Sequence, residues 1–441
     1  MKKQFIAIIF LLMGCHLRAQ DSLGLILNTA ASYPGYTLFS PFFTTNTYLI
    51  DQNGKAVKTW NTGMKPGANE MLLENGQLLK ASKLVSGDFK VSGKGGLIQK
   101  FNSEGIVVWS YQILDDRYCQ HHSILQMPNG NIMAIVWEKI DKMEALEWGR
   151  SPKNVDFEVY MLMLMELRPD EGNQAQIVWE WHSKDHLVQD FDQSKQNYQP
   201  VSEHPELIDF NYVVRDHNKK DFLHTNSIDY HADKDLIILS VRAMDEIWVI
   251  DHSTNSAEAS QHSGGNYKSG GDLIFRWGNP KAYQSREDNT QTLFGQHDAQ
   301  WITNGKYKDK VIVFNNGRDS IRPWSSVDVI DIQLPDTAVG GASTSANLIW
   351  RYEAQKKEDF YSTFISGVQI LPNGNMLITE GQKGRIFEID DQKKIVWEFV
   401  SPHLGFSGND YQSKNTKQDR YVYKATKYGL DYPGVVNLLK E

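Results

Sequence analysis

Hydrophobic and polar positions alternate in short runs along most of this chain, and the runs recur in one phase. Each repeat is predicted to end in an apolar strand that carries a tryptophan: AVKTW at Trp60, IVVW at Trp109, IVW at Trp179, LIFRW at Trp277, LIW at Trp350 and IVW at Trp397. Another strand and a polar turn precede each of these, as in TYLIDQNG, LIQKFNSEG, LMELRPDEG, IWVIDHST, VDVIDIQL and RIFEIDDQ. Most repeats open with a hairpin, for example EMLLENGQLLKAS, SILQMPNGNIMAIVW, SIDYHADKDLIILSVR, AQWITNGKYKDKVIVF and VQILPNGNMLITEG. Asn-Gly suits such hairpins because both central residues of the tight turn must reach positive φ. Four short strands per repeat, six times over, predict an all-β fold, a six-bladed β-propeller rather than a sandwich.

The repeats also set the domain boundaries. The propeller is expected over residues 35–402, after an N-terminal segment 21–34 and before a C-terminal extension 403–441. The first repeat has only three clear strands, GYTLFSP, TYLID and AVKTW, whereas YVYKATKY near the C-terminus alternates as a strand should. Residues 421–428 are therefore expected to complete the first blade and close the ring, which removes exposed sheet edges. The long interval from Trp179 to Trp277 points to an inserted loop over about residues 182–221, rich in Asp, His, Gln and Asn, that would cover one mouth.

Residues 1–20 read as a secretory signal peptide: Lys2 and Lys3, the apolar run IAIIFLLMG, then the small residue Ala19 before Gln20-Asp21. The expected destination is the periplasm. Cys15 after Leu12-Met13-Gly14 offers a lipoprotein alternative, weakened by the bulk of Met13. No other stretch is apolar enough for a membrane span. Removing the signal leaves Cys119 alone of the 2 cysteines, so an intramolecular disulfide is not expected. The formal net charge of −8 argues against a nucleic-acid partner. It also means that an anionic substrate needs a local positive pocket.

Candidate chemistry lies where the first strand of each blade begins, since in a propeller these strands line the central channel. Three repeats place a histidine there: His122 in QHHSILQM, His224 in FLHTNSIDY and His297 in GQHDAQWI. The hairpin entered through FYSTFISGVQ offers Thr363 and Ser366 instead. Arg242, in LIILSVRAMD, ends the second strand of the His224 hairpin and folds back beside His224. A guanidinium next to convergent imidazoles makes an anion site. On a regular strand His121 would face away from His122, so His122 is the channel candidate. SGKGG at 92–96 lacks the spacing of a phosphate loop, and neither a His-Glu-x-x-His helix nor a Gly-x-Ser-x-Gly elbow occurs.

From GYTLFSP to the C-terminus the chain resembles the bacterial arylsulfate sulfotransferases, most specifically in HTNSIDY, the SVR that follows it, and GQHDAQWI. The resemblance implies an exported six-bladed propeller that moves a sulfuryl group from an aryl sulfate to a phenolic acceptor without nucleotide or other cofactor. It makes His297 the nucleophile that is transiently sulfated, His122 and His224 the accompanying channel histidines, Arg242 the sulfate-binding arginine, and Thr363 or Ser366 a hydroxyl neighbour. Better-known members carry an extra N-terminal β-domain and a disulfide that this chain has no room for, which leaves acceptor preference and oligomeric state open, a homodimer included. Three competing readings remain. Three imidazoles are also a zinc set for a metallohydrolase, although Arg242 disfavours a second cation beside it, and the main expectation is no metal. A sulfatase would use water as acceptor. A propeller can also be a non-catalytic module that binds a ligand or partner.

Overall fold

The computed structural model describes residues 23–214, 216–285, 290–339, 341–403 and 420–440. The signal-peptide reading of 1–20, with Cys15, lies outside them, as does most of the extension before Arg420. The fold is all-β, and its strands form antiparallel meanders. The Trp60 sheet runs Val422–Gly429, Gly35–Pro41, Asn46–Ile50, Ala56–Asn61. The Trp277 sheet holds Thr225–His231, Leu236–Val241, Glu246–Asp251 and Leu273–Trp277, and the Trp350 sheet holds His297–Trp301, Val311–Asn315, Ser326–Ile332 and Ala346–Tyr352. The Trp397 sheet holds Gly367–Ile370, Met376–Glu380, Arg385–Ile389 and Ile395–Val400, with Gly24–Asn28 added at its outer edge. These four sheets are separate blades of a β-propeller-like arrangement. The remaining sheet is eight-stranded: a Trp109 half (Pro66–Leu72, Leu78–Lys83, Gly96–Phe101, Val107–Gln112) and a Trp179 half (Tyr118–Gln126, Ile132–Asp141, Glu158–Asp170, Gln174–His182) meet through one parallel bridge, Ala68 to His122.

The innermost strands touch one another in turn: Pro66–Leu72, Tyr118–Gln126, Thr225–His231, His297–Trp301, Gly367–Ile370, then Val422–Gly429, which returns to Pro66–Leu72. Sheets packed face to face bury both of their faces. That is why Leu236–Val241 is buried at every residue and apolar at all but Ser240, instead of alternating. Each neighbouring pair of meanders shares an apolar core. Ile238, Val249 and Phe275 meet Val311, Val313 and Ile330 between the Trp277 and Trp350 sheets. Phe39, Ile50 and Ala425 meet Ile386, Trp397 and Phe399 where the last sheet meets the first.

The tryptophans of the outer strands stitch neighbours together. The Trp60 indole donates to Asn102 O at 3.0 Å, Trp109 to Gln174 O at 3.1 Å and Trp179 to Thr254 Oγ1 at 3.3 Å, each in or just after the turn that leads into the next meander's outer strand. Trp397 donates to Gln52 O at 2.8 Å, in the equivalent turn of the Trp60 sheet. The repeating tryptophan is thus an inter-sheet contact. It buries a large ring and satisfies its one polar atom in the same step, worth about 2–3 kcal/mol of transfer free energy per ring.

The segment over 182–221 packs along the joint between the Trp179 half and the Trp277 sheet. Leu187, Ile208, Phe210 and Phe222 join the core those two share, and a short parallel ribbon pairs Leu187–Val188 with Ile208–Asp209. Its last residue, Asp221, reaches the channel.

Candidate functional site

The inner strands begin irregularly, and the irregularity aims the side chains. His122 has φ 48°, His224 φ 44° and Asp298, next to His297, φ 58°. Histidine and aspartate tolerate this left-handed region better than most residues. Pairing shifts register at the same places: Ala134/Val136 opposite His122, Thr225/Ser227 after His224, and His297/Gln300. Such bulges insert a residue, bend the strand and redirect its side chains. The position before Gly367–Ile370 is the most strained, with Ile365 at φ 51° and Ser366 at φ 96°. A β-branched residue there is held only by its surroundings.

His121 corrects the expectation from regular alternation. Because His122 is left-handed, the two rings turn toward each other, Nδ1 to Nδ1 at 2.7 Å. His121 stacks on Trp137 with centroids 4.0 Å apart, and its Nε2 is buried without a hydrogen-bond partner among the described residues. Burial pushes its pKa down to about 3, so the ring is neutral. Its single proton therefore belongs on Nδ1, donated to His122, since a buried unpaired N–H would be costly. His122 Nδ1 then accepts, which leaves His122 with its proton on Nε2.

His297 is fixed by a similar chain of logic. The Asn316 amide nitrogen donates to Ser362 O at 2.7 Å and Ile365 O at 2.8 Å, so its Oδ1 must accept. What it accepts is the His297 Nδ1 proton, at 2.7 Å, with Gly295 O a second acceptor at 3.1 Å. The lone pair of His297 is therefore on Nε2, where the strained Ile365 N–H approaches to 3.2 Å. Burial and then the Arg242 charge hold the His297 pKa well below the ordinary imidazole value. Burial and then His224 do the same to His122, with His297 and Arg242 adding to the effect.

His224 sits edge-on to His122, ring centroids 4.7 Å apart. Its Nδ1 donates to Asp221 Oδ2, while the Trp137 indole donates to Oδ1 of the same carboxylate at 3.0 Å. Burial acts to raise the Asp221 pKa, but the neighbouring His224 outweighs it and the net shift is downward. The result is a buried carboxylate–imidazole pair that orients His224. Arg242 is half-buried beside the turn leading to His297: a Cβ added to Gly295 would lie 3.9 Å from its Nε.

The structure therefore brings His122, His224, His297 and Arg242 together. Of the hydroxyl candidates, Thr363 Oγ1 donates to Gln382 Oε1 at 3.2 Å, and Ser366 Oγ accepts from Gly381 N at 3.0 Å. Between them in the chain, the backbone N–H of Ile365 donates to His297 Nε2.

Sequence reasoning passed over four contributors. Asp221 stands three residues before His224 in DFLH, one helical-turn spacing in a stretch that is not helical. Asn316 sits in an Asn-Asn-Gly run that reads as a turn. Tyr423 comes from the C-terminal strand, its buried hydroxyl donating to Asn226 O and its ring 6.3 Å from that of His122. Gly93, at φ 87°, lies so close that any Cβ there would fall within the His122 ring, and its carbonyl accepts the His122 N–H at 2.8 Å. The glycines of SGKGG serve close approach, a role that spacing tests for phosphate loops cannot detect.

Further along the inner strands the axis opens into a cavity of about 190 Å³ whose wall includes Glu70, Asp229, Asp298 and Lys424. Burial raises Glu70 and lifts Asp229 to about 6. Lys424 Nζ pairs with Asp298 Oδ1 at 2.8 Å, so this wall carries both signs of charge.

Three solved structures are similar to this chain at low identity. A Bacteroides caccae protein of unknown function is 10% identical over 89% of this chain and 98% of its own, with a TM-score of 0.47. A putative 6-phosphogluconolactonase from Bacteroides fragilis is 8% identical over 91% and 99%, with a TM-score of 0.42. The Pseudomonas aeruginosa periplasmic gluconolactonase PpgL is 10% identical over 83% and 96%, with a TM-score of 0.38. No curated protein matches significantly. The sequence model of the family described as arylsulfotransferase (ASST) matches residues 20–403, and on that match this chain belongs to the arylsulfotransferase family.

Proposed function

We propose that this protein carries a sulfuryl group from an aryl sulfate to a phenol through a sulfated His297, in a closed propeller of six blades, the eight-stranded sheet counting as two. The observation that carries the reading is the fixed tautomer of His297: Asn316 holds the Nδ1 proton and so leaves the Nε2 lone pair. Neutral imidazole is a competent nucleophile, and the depressed pKa keeps it neutral at physiological pH.

In the first half-reaction the Nε2–S bond forms as the S–O(aryl) bond breaks. Arg242 and the His122 Nε2–H stabilise the sulfuryl oxygens, the Ile365 N–H gives up its hydrogen bond to Nε2 as that lone pair attacks, and His224, backed by Asp221, gives its proton to the departing phenolate. In the second half a phenol loses its proton to His224 while its oxygen bonds to sulfur and Nε2 departs. Loose in-line transfer of this kind depends mainly on positioning and charge stabilisation. The leader-like N-terminus supports export to the periplasm.

The test is release of nitrophenolate from 4-nitrophenyl sulfate by the mature protein, with and without added phenol. Phenol-dependent, ping-pong release that His297→Ala abolishes is expected. Release indifferent to phenol would make the protein a sulfatase, and no release from folded protein with several aryl donors would favour a binding module.

A further inference from the structure

Away from the channel, His186, His262 and Asp272 converge so that one ligand atom from each lies within 4.8 Å of the others. His186 ends the short turn Ser183–His186 after the outer strand of the Trp179 half. His262 and Asp272 belong to the loop that leads into Leu273–Trp277. The cluster therefore spans two neighbouring meanders. Trp181 stacks on His186, centroids 5.3 Å apart, and its indole donates to Gly271 O at 2.7 Å, which fixes the ring from the other side.

Proton accounting at His186 is the telling detail. Its Nε2 faces the Ala259 carbonyl at 2.9 Å, and a carbonyl only accepts, so Nε2 carries the proton. A neutral His186 then has its lone pair on Nδ1, which points at Asp272 Oδ1 from 2.7 Å. His262 Nδ1 approaches the same carboxylate at 2.8 and 3.0 Å. Lone pair against carboxylate is repulsive unless a proton or a cation lies between them. A second proton would make an imidazolium of a side chain that is 0% exposed. A metal ion satisfies the same geometry, and a ligating histidine that donates its other N–H to a carbonyl is the usual outer-shell arrangement. Asp185 and Glu206 add negative charge that acts on His262, and the 62%-exposed His262 side chain leaves room for a water ligand.

We infer that His186 Nδ1, His262 Nδ1 and Asp272 form a binding site for a divalent cation of zinc type, with water as fourth ligand, that clamps these two meanders. Bonds of about 2.0–2.1 Å at tetrahedral angles need donors about 3.3 Å apart, so the ligands would open by about half an ångström, a movement the exposed His262 loop can supply.

The experiment strips the full mature protein with chelator, dialyses it against zinc chloride, and measures zinc per chain and the thermal midpoint. About one zinc per chain is expected, together with a higher midpoint. His262→Ala, a change at an exposed side chain, should weaken zinc binding by about 10-fold or more, and Asp272→Asn should abolish it. His262→Ala should leave aryl-sulfate turnover unchanged, and His297→Ala should leave zinc binding unchanged, which separates this site from the channel. No zinc bound by folded protein, or wild-type affinity in His262→Ala, would overturn the inference and identify His186 as a buried imidazolium paired with Asp272.

Discussion

At the scale of residues, the channel is a set of imidazoles whose protons are assigned by their neighbours. Asp221→Asn keeps the shape but removes the charge that backs His224, and turnover of aryl sulfate should fall by about 10²-fold or more. Asn316 acts through His297. Asn316→Ala should lower kcat by about 10², because it frees the ring to present the wrong nitrogen, and should leave KM nearly unchanged. A purely structural role would instead lower stability and spare the rate of the folded fraction. His297 must be neutral to react, and its pKa is held well below the usual imidazole value. The acid limb of kcat/KM should therefore lie below pH 6.5, and a limb at or above 7 would contradict this protonation scheme. The histidines were legible in the sequence because they recur at one phase of a repeat, and Arg242 because it ends the second strand of the His224 hairpin. Asp221, Asn316 and Tyr423 were not, since each comes from a segment whose route to the axis depends on packing.

Elements carry the stability of the ring. The C-terminal strand Val422–Gly429 pairs with Gly35–Pro41 and contributes Tyr423 to the channel wall and Lys427 to a buried ion pair. Lys427 Nζ meets Glu388 Oε2 at 2.7 Å, with the two side chains 1% and 0% exposed. Lys427→Met strands the carboxylate and should cost about 3–5 kcal/mol in urea unfolding, while Lys427→Met with Glu388→Gln should recover much of the loss. Equal losses in the single and double variants would show that the ion pair is not what matters there. The alternation in YVYKATKY marks a strand from sequence alone. Its partner is a pairing across almost the whole chain, which local pattern does not specify.

For the whole molecule, contacts between meanders make stability depend on pH. His252, after Glu246–Asp251, bonds Asp235 at 2.7 Å within its own sheet and Glu166 at 3.0 Å in the Trp179 half. Burial works against its protonation, but these two carboxylates win and raise its pKa to about 9. A raised folded-state value means that the contribution is fully present below pH 6.5 and is lost as pH rises through about 9. Wild-type protein should lose about 3 kcal/mol relative to His252→Gln between those limits, and parallel pH profiles for the two would refute the linkage.

The periodic features were determined by sequence alone: strands, hairpin turns, the tryptophan phase, and the three histidines at equivalent positions. All depend on local propensity and on a repeat that every meander obeys. Only the tertiary structure decided how those positions are used. Left-handed residues at the strand starts turn His121 toward His122 and bring the Ile365 N–H to His297 Nε2. The reason is physical: a bulge breaks the period of two on which any reading of strand faces depends, and its geometry is set by the packing of neighbouring sheets.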